Sequence, residues 1–391
     1  MISDTRLKQL SIIKDSVATL ISAITLVYFS REFEIDSSLP NDFFYDADTA
    51  RTLDYITEPN SALSSIRPFL FLVSWILNLS NEILQPYLAW CLLNLCCILL
   101  LTFATRRILR EINIPLRNVG FLATNLSLLC WIAVPDTFIL GITGFMLGVL
   151  LYGDGSRIHR VTLSGIVASS LNIFFLVPWL TAHILLGRKT LIKSFGRAFP
   201  SITIVSFILF SIKYLEKFKP SSVSVDRRTS TEVILAVRDS AYYDPAGIAA
   251  PFKSLGWFHS PFIGFGENLV YFFTAPWTQG YRYIMGTWAI DSVFLPFAVL
   301  FSAVLLTLVS YFGIFFMHRK HKILGLFAFS LEIWTCVLFL TYSNHPFLFA
   351  PFLLISRVYG LIYFTYKFES SFVPLILISS ILTISSLQFM P

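Results

Sequence analysis

The sequence predicts an all-α integral membrane protein with about ten transmembrane helices and several short interfacial or re-entrant helices. Three observations support this prediction. Of the 391 residues, 55% are hydrophobic and only 13% are charged, about half the charged fraction of a soluble domain. The mean hydropathy is +0.72. Apolar runs of about 20 residues, the length that crosses a bilayer core, recur along the chain.

Basic residues in the connecting segments predict the orientation of these spans. The net charge is +6. Because cytoplasmic loops carry an excess of Lys and Arg, we expect the N-terminus and the basic loops to lie inside the cell. This distribution indicates membrane orientation rather than a nucleic-acid surface. The basic loops are residues 106–117, 157–160, 187–197 and 318–322.

Several classes of site have no support in the sequence. The five cysteines all lie inside apolar runs, which favours packing over a disulfide framework or a metal site. Walker A, dinucleotide-binding glycine, HExxH and GxSxG motifs are absent from the sequence. The first apolar run is long and lacks a small-residue cleavage site, so we expect it to remain as an anchor.

An N-terminal membrane module is predicted for residues 1–215. Its first span, Leu10–Ser30, leads to an acidic outer loop at 31–65 and then to an interfacial helix at 66–80. The later spans of this module are predicted at 86–105, 118–134, 137–152 and 200–215.

The run between residues 161 and 187 has two interpretations, because basic clusters lie on both sides of it. One is a pair of short helices that enters the membrane and returns, turning near 169–172, with Pro178 breaking the second helix. The other is one long kinked helix. Irregular backbone at membrane depth must be buried in protein or line a wet cavity, which makes Asn172 a candidate binding residue.

A long segment at 216–285 is predicted to lie on the outer side. Its aromatic part, Trp257 to Tyr283, suits a loop packed at an interface and argues against disorder. The C-terminal membrane helices then occupy 286–391. Their spans are predicted at 286–316, 323–342, 346–366 and 372–389.

Two ionisable residues fall well inside the predicted spans. Glu332 and Arg357 lie at equal sequence distances from the turn at Asn344-His345. Each charge alone would cost several kcal/mol in hydrocarbon, so we expect the two side chains to form an ion pair or a shared network. A structural role is the main interpretation, and participation in a substrate path is the alternative.

The stretch FFYDADTARTLD, residues 43–54, concentrates ionisable groups after the first span. A carboxylate can accept the proton of an attacking hydroxyl, so Asp46 and Asp48 are the candidate catalytic residues. A solvated acidic loop is the alternative. Cationic groups on the same side can hold the phosphate of a departing lipid. The candidate substrate-binding residues are Arg51, Arg67, Asp136, Asn172, Arg238, Arg282 and His345.

This layout resembles that of the GT-C-type glycosyltransferases, polytopic membrane enzymes that use polyprenyl-phosphate-linked sugars. The resemblance covers residues 1–190, and beyond them only the span pattern. Arg67 stands where similar bacterial sequences often have His before Pro, which leaves the role of Arg67 open. The matching features are Asp46-Ala47-Asp48, the apolar helix SIRPFLFLV, an Arg-rich turn, Pro135-Asp136 and the helix pair LSGIVASSLN.

The resemblance implies an inverting transferase that moves a sugar from a polyprenyl-phosphate donor to a glycan or lipid-linked acceptor. The general base would be Asp46 or Asp48. These carboxylates also suggest a divalent cation, although their spacing matches no metal motif. The long outer loop has no N-x-S/T sequon, which favours a bacterial plasma membrane. The alternatives are a transporter of lipid-linked saccharides and a non-catalytic membrane subunit.

Overall fold

The structure, a computed structural model, describes residues 69–79, 86–114, 138–187, 191–216, 272–273, 277, 297–341 and 350–368. Within these ranges the chain forms nine α-helices, one 3-10 turn and no β-strand, which confirms the predicted all-helical class. The helices are α1 (Leu70–Leu79), α2 (Pro86–Glu111), α3 (Phe138–Tyr152), α4 (Ile158–Ser169), α5 (Leu176–Leu186), α6 (Leu191–Glu216), α7 (Phe297–Lys320), α8 (Lys322–Thr341) and α9 (Ala350–Lys367).

Three helices of the described part are long and apolar enough to cross a membrane. They are residues 88–111 of α2, 192–212 of α6 and 301–320 of α7. The outward face of α6 carries Phe207 and Phe210, which are 70% and 71% exposed. A row of exposed aromatic side chains is unfavourable in water and favourable in lipid. These features are compatible with a membrane protein.

Most of the described basic residues lie at one end of the helical bundle. Tyr152 at the end of α3 contacts His183 near the end of α5, and His183 contacts Ser194 in the first turn of α6. Where α7 ends, Lys320 lies over the ring of Tyr366, near the end of α9. We call this the basic end. Its residues are Arg157, Arg160, Lys193, Arg197, Arg319, Lys320, Lys322 and Lys367.

Aromatic residues meet at the opposite end, which we call the aromatic end. Phe352, in the first turn of α9, contacts Phe138 at the start of α3 with ring centroids 5.6 Å apart. Phe352 also stacks on Phe174 at 5.5 Å. The backbone N–H of Phe69, just before α1, donates to the carbonyl of Ser170 at 3.0 Å. Four chain segments therefore converge at this end.

The run from 161 to 187 forms two helices rather than one. Between α4 and α5 the backbone of Asn172 is extended, and a 3-10 turn covers Ile173–Phe175. Trp179 Nε1 donates to Ser164 Oγ at 2.8 Å, which joins the helices side by side. The prediction that Pro178 breaks the second helix is wrong. Pro178 is the third residue of α5. A backbone N–H in the first turn of a helix makes no hydrogen bond within that helix, so a proline there breaks none.

Helix α6 begins at Leu191, well before Pro200. The prediction that this element starts at Pro200 is therefore wrong. Pro200 lies inside it and removes one hydrogen bond to the fourth preceding residue, Gly196. Lys193 and Arg197 are exposed in the first turns of the same helix. The predicted spans at 10–30, 118–134 and 372–389 lie outside the described residues, as does the acidic loop at 31–65.

The α3–α4 connection at the basic end depends on two glycines. Gly153 and Gly155 have φ values of +58° and +66°, a backbone conformation that residues with a Cβ rarely adopt. Between them Asp154 accepts hydrogen bonds from the Ser156 hydroxyl and backbone N–H. These hydrogen bonds lower the pKa of the Asp154 carboxyl.

Helices α7 and α9 pack closely enough to exclude side chains at two positions. A Cβ added to Gly360 would overlap the carbonyl of Ser310, and one added to Gly313 would overlap the carbonyl of Gly360. On α6, by contrast, a Cβ added to Gly196 meets no atom within 4 Å.

We predict that Gly360→Ala lowers the free energy of unfolding by about 1–3 kcal/mol, because the methyl group forces α7 and α9 apart. The control is Gly196→Ala, which we expect to be neutral or to stabilise by up to about 1 kcal/mol. Thermal unfolding of the purified chain in detergent measures both. Equal unfolding midpoints for the two variants would contradict the close packing of α7 on α9.

Candidate functional site

A charged pair lies among the three C-terminal helices. Arg357 of α9 is fully buried, and Glu332 of α8 is 5% exposed. The guanidinium donates from Nε to Oε1 at 3.3 Å and from Nη2 to Oε2 at 3.2 Å. Such two-point contacts are the most specific arrangement of Arg with a carboxylate. The structure thus brings together the two side chains for which the sequence predicts a contact.

Two hydroxyl groups complete the surroundings of the Glu332 carboxylate. Ser356 Oγ donates to Oε1 at 2.5 Å, and Tyr311 Oη donates to Oε2 at 3.1 Å. Each carboxylate oxygen therefore accepts two hydrogen bonds, which offsets the loss of water on burial. Tyr311 belongs to α7 and Ser356 to α9, so the carboxylate of α8 links all three helices.

The opposite side of the guanidinium faces α7 and the segment that precedes it. Arg357 Nη1 donates to Thr307 Oγ1 and Nη2 donates to Tyr311 Oη, each at 3.1 Å. The Arg357 Cζ atom lies 4.9 Å from the ring centroid of Phe272 and 5.6 Å from that of Tyr311. Cation–π contacts of this kind contribute about 2 kcal/mol when the cation is desolvated.

The network lies at mid-length of its helices. Glu332 is about ten residues from Lys322, and Arg357 about ten from Lys367, so each is about 15 Å from the basic end. The hydrocarbon half-thickness of a bilayer is also about 15 Å. Glu332 and Arg357 therefore lie at the same distance from the basic end.

These contacts favour the structural role of the pair over participation in a substrate path. The hydrogen bonds of Glu332 are made to other groups of the bundle, and Arg357 is covered by aromatic rings. A substrate would have to displace several internal hydrogen bonds before reaching either charge. The arrangement cross-links helices and shields a charge, and it presents no exposed acid or base.

A second buried polar cluster lies at the basic end. Tyr152 Oη is 2.8 Å from His183 Nδ1, and His183 Nε2 is 3.0 Å from the Ser194 carbonyl oxygen. Because a carbonyl oxygen only accepts, Nε2 carries a proton, and in the neutral ring Nδ1 accepts from Tyr152. Trp179 stacks on the imidazole with centroids 5.5 Å apart. These contacts hold the ends of α3, α5 and α6 together.

Asn172 is the one predicted substrate-binding residue that the described ranges contain. It is buried, and its Oδ1 accepts a hydrogen bond from the backbone N–H of Phe174 at 3.0 Å. This bond caps the 3-10 turn, a local task typical of Asn. The other candidate site residues lie outside the described ranges. They are Asp46, Asp48, Arg51, Arg67, Asp136, Arg238, Arg282 and His345.

The sequence analysis did not single out the neutral partners of the ion pair. Thr307 and Tyr311 are four residues apart and share a face of α7, which is a visible pattern. The same spacing occurs throughout an apolar helix, so it is not specific. Phe272 and Trp277 belong to the segment predicted as an outer loop, and no local pattern predicts their contacts with α7 and α9.

Within the described ranges, no group of three or more His, Cys, Asp or Glu residues is placed to hold a metal ion. The divalent cation suggested for Asp46 and Asp48 concerns residues outside those ranges.

Comparison of the chain with models of known protein families and with curated proteins gave no match.

We predict that Arg357→Met destabilises the protein by about 3–5 kcal/mol, because it leaves the Glu332 carboxylate buried without a counter-ion. Replacing both charges, Arg357→Met with Glu332→Leu, should recover most of this loss. Thermal unfolding in detergent measures each variant.

The matched control is Arg107→Met. Arg107 forms an exposed ion pair with Glu111 at 3.4 Å on α2, and such pairs contribute at most about 1 kcal/mol. If Arg357→Met is as mild as Arg107→Met, the buried pair does not stabilise the bundle.

Proposed function

We propose that the protein is a multi-pass glycosyltransferase of the GT-C type in a bacterial plasma membrane. It would move a sugar from a polyprenyl-phosphate-linked donor to a glycan or lipid-linked acceptor at the outer face. The observation that supports this proposal most is the difference between the two ends of the helical bundle. Most of its described basic residues lie at one end, and helices that follow predicted outer-side residues begin at the other.

The convergence at the aromatic end supports a site on the outer side. Helix α3 begins two residues after Asp136 in the sequence, and α9 begins five residues after His345. Their first turns are in contact through Phe138 and Phe352. Since basic ends face the cytoplasm, we assign the aromatic end to the outer face. Asp136 and His345 would then serve one site.

In the proposed reaction an acceptor hydroxyl attacks the anomeric carbon of the sugar. The new bond joins the acceptor oxygen to this carbon, while the bond to the phosphate oxygen breaks and polyprenyl phosphate leaves. Asp46 or Asp48 takes the proton of the hydroxyl. Arginine can stabilise the departing phosphate. The candidates for this role are Arg51, Arg67, Arg238 and Arg282.

The closed network around Arg357 disfavours the transporter alternative. A carrier that moves a charged saccharide across the membrane needs a polar cavity open to each side in turn. The central charges are instead paired, hydrogen-bonded and covered by aromatic rings. A non-catalytic subunit is the remaining alternative, and the activity of the first-loop variants decides it.

The proposed orientation predicts the labelling of single cysteines in a chain without its native cysteines. Ser156→Cys lies in the exposed α3–α4 connection at the basic end. An impermeant thiol reagent should label it only after the cells are permeabilised. Asp136→Cys should be labelled in intact cells. Labelling of Ser156→Cys in intact cells would contradict the orientation.

The proposed chemistry predicts the effect of removing the first-loop carboxylates. The double variant Asp46→Asn, Asp48→Asn should lose at least about 100-fold of the transfer rate, the contribution typical of a general base. The assay is turnover of polyprenyl-phosphate sugars by the purified chain. The control is Asp154→Asn, which changes an exposed carboxylate at the basic end. Full turnover by the double variant would reject the assignment.

A further inference from the structure

Three described residues between α6 and α7 lie inside the helical bundle. Trp277 is fully buried and Phe272 is 5% exposed. Phe273 is half-buried, and its ring lies 6.4 Å from that of Tyr311. These residues belong to the segment at 216–285, which the sequence predicts to lie on the outer side. Their burial against α7 shows that the chain enters the bundle here.

Thr307 connects this segment to the ion pair. Its Oγ1 donates to the carbonyl oxygen of Phe273 at 2.6 Å. Thr307 Oγ1 also accepts hydrogen bonds from Trp277 Nε1 and from Arg357 Nη1, each at 3.1 Å. A hydroxyl has one proton and two lone pairs, so these three bonds use its full capacity.

The depth of Thr307 determines how far the segment enters. Thr307 is about 13 residues from Lys320, which is about 20 Å along α7. It therefore lies near the middle of a 24-residue helix, at nearly the depth of Glu332 and Arg357. A connection between two helices is tolerated at this depth in a bilayer where protein satisfies its polar groups.

The polar groups of the segment need Thr307 at this depth. An indole N–H or a peptide carbonyl buried without a partner costs several kcal/mol in an apolar medium. The Thr307 hydroxyl satisfies one of each, on Trp277 and Phe273. Arg357 orients that hydroxyl by donating to it, and the Phe272 ring covers the guanidinium.

We propose that the connection between α6 and α7 inserts Phe272, Phe273 and Trp277 to the depth of the Glu332–Arg357 pair, where Thr307 holds them as a positioning residue. The connection between α6 and α7 is then partly inside the membrane rather than wholly outside it. This proposal rests on the membrane arrangement of the helices and is independent of the transferase chemistry.

Hydrogen–deuterium exchange of the full chain in lipid nanodiscs tests the proposal. In the unchanged protein the amides of 272–277 should exchange at least about 100-fold more slowly than in an unstructured peptide. Thr307→Val should speed their exchange about tenfold, because it removes the hydroxyl from all three bonds. Peptides of α8 and α9 should keep their protection. Thr307→Ser, which retains the hydroxyl, should behave like the unchanged protein.

The matched control is Thr203→Val. Thr203 on α6 is exposed and its hydroxyl donates only within its own helix, to the Phe199 carbonyl. We expect it to leave residues 272–277 unaffected. If Thr307→Val does not fold, Trp277→Phe removes one donor and keeps the ring, and it should speed exchange of the same peptide severalfold.

Two results would overturn the proposal. One is rapid exchange of 272–277 in the unchanged protein. The other is that exchange in Thr307→Val equals that of the unchanged protein or rises equally in every helix. If Thr307→Val does not fold, the same two outcomes in Trp277→Phe count against the proposal. No sugar donor enters the experiment, so an inactive protein still yields a result for the segment.

Discussion

The positive charge of Arg357 is the constraint on which the C-terminal half of the structure depends. The guanidinium of Arg357 carries this charge although its side chain is fully buried. Glu332 supplies the opposite charge, and hydroxyl groups of Thr307 and Tyr311 receive further hydrogen bonds. Helix α9 carries this ion and helices α7 and α8 supply its partners, so the relative positions of the three helices are tied to one buried charge.

Close backbone contact makes this arrangement possible. Gly360 lies one helical turn after Arg357, and the absence of a side chain there lets α7 approach α9. The approach places Thr307 and Tyr311 within hydrogen-bonding distance of the guanidinium. A wider separation of the two helices would leave polar groups without partners. Packing and electrostatics therefore favour the same helix arrangement.

Part of this arrangement can be predicted from the sequence, for physical reasons. The apolar run predicted at 137–152 matches the bounds of helix α3, because it is uninterrupted between Pro135-Asp136 and Gly153. The contact between Glu332 and Arg357 is predictable because a charge within an apolar helix needs a partner at equal depth. In both cases the local sequence, an apolar run or a charge within one, allows few other structures.

Other features depend on information that local patterns lack. The start of α6 at Leu191 was missed because Lys193 and Arg197 were interpreted as a loop, whereas long basic side chains can extend from a helix end toward water. The burial of Trp277 depends on a partner 30 residues away. Asn172 was proposed as a binding residue because it lies at a break between two short helices, and its side chain caps the 3-10 turn at that break. The catalytic assignment to Asp46 and Asp48 rests on the family resemblance and lies outside the described residues.

The closed, paired centre favours the proposed site at the aromatic end over a substrate path through the bundle. The most direct test uses proteoliposomes that contain the purified chain, a polyprenyl-phosphate sugar labelled in the sugar, and an acceptor. Our account predicts that the label moves to the acceptor and that polyprenyl phosphate is released. Movement of the intact labelled lipid between leaflets, without release of polyprenyl phosphate, would contradict it.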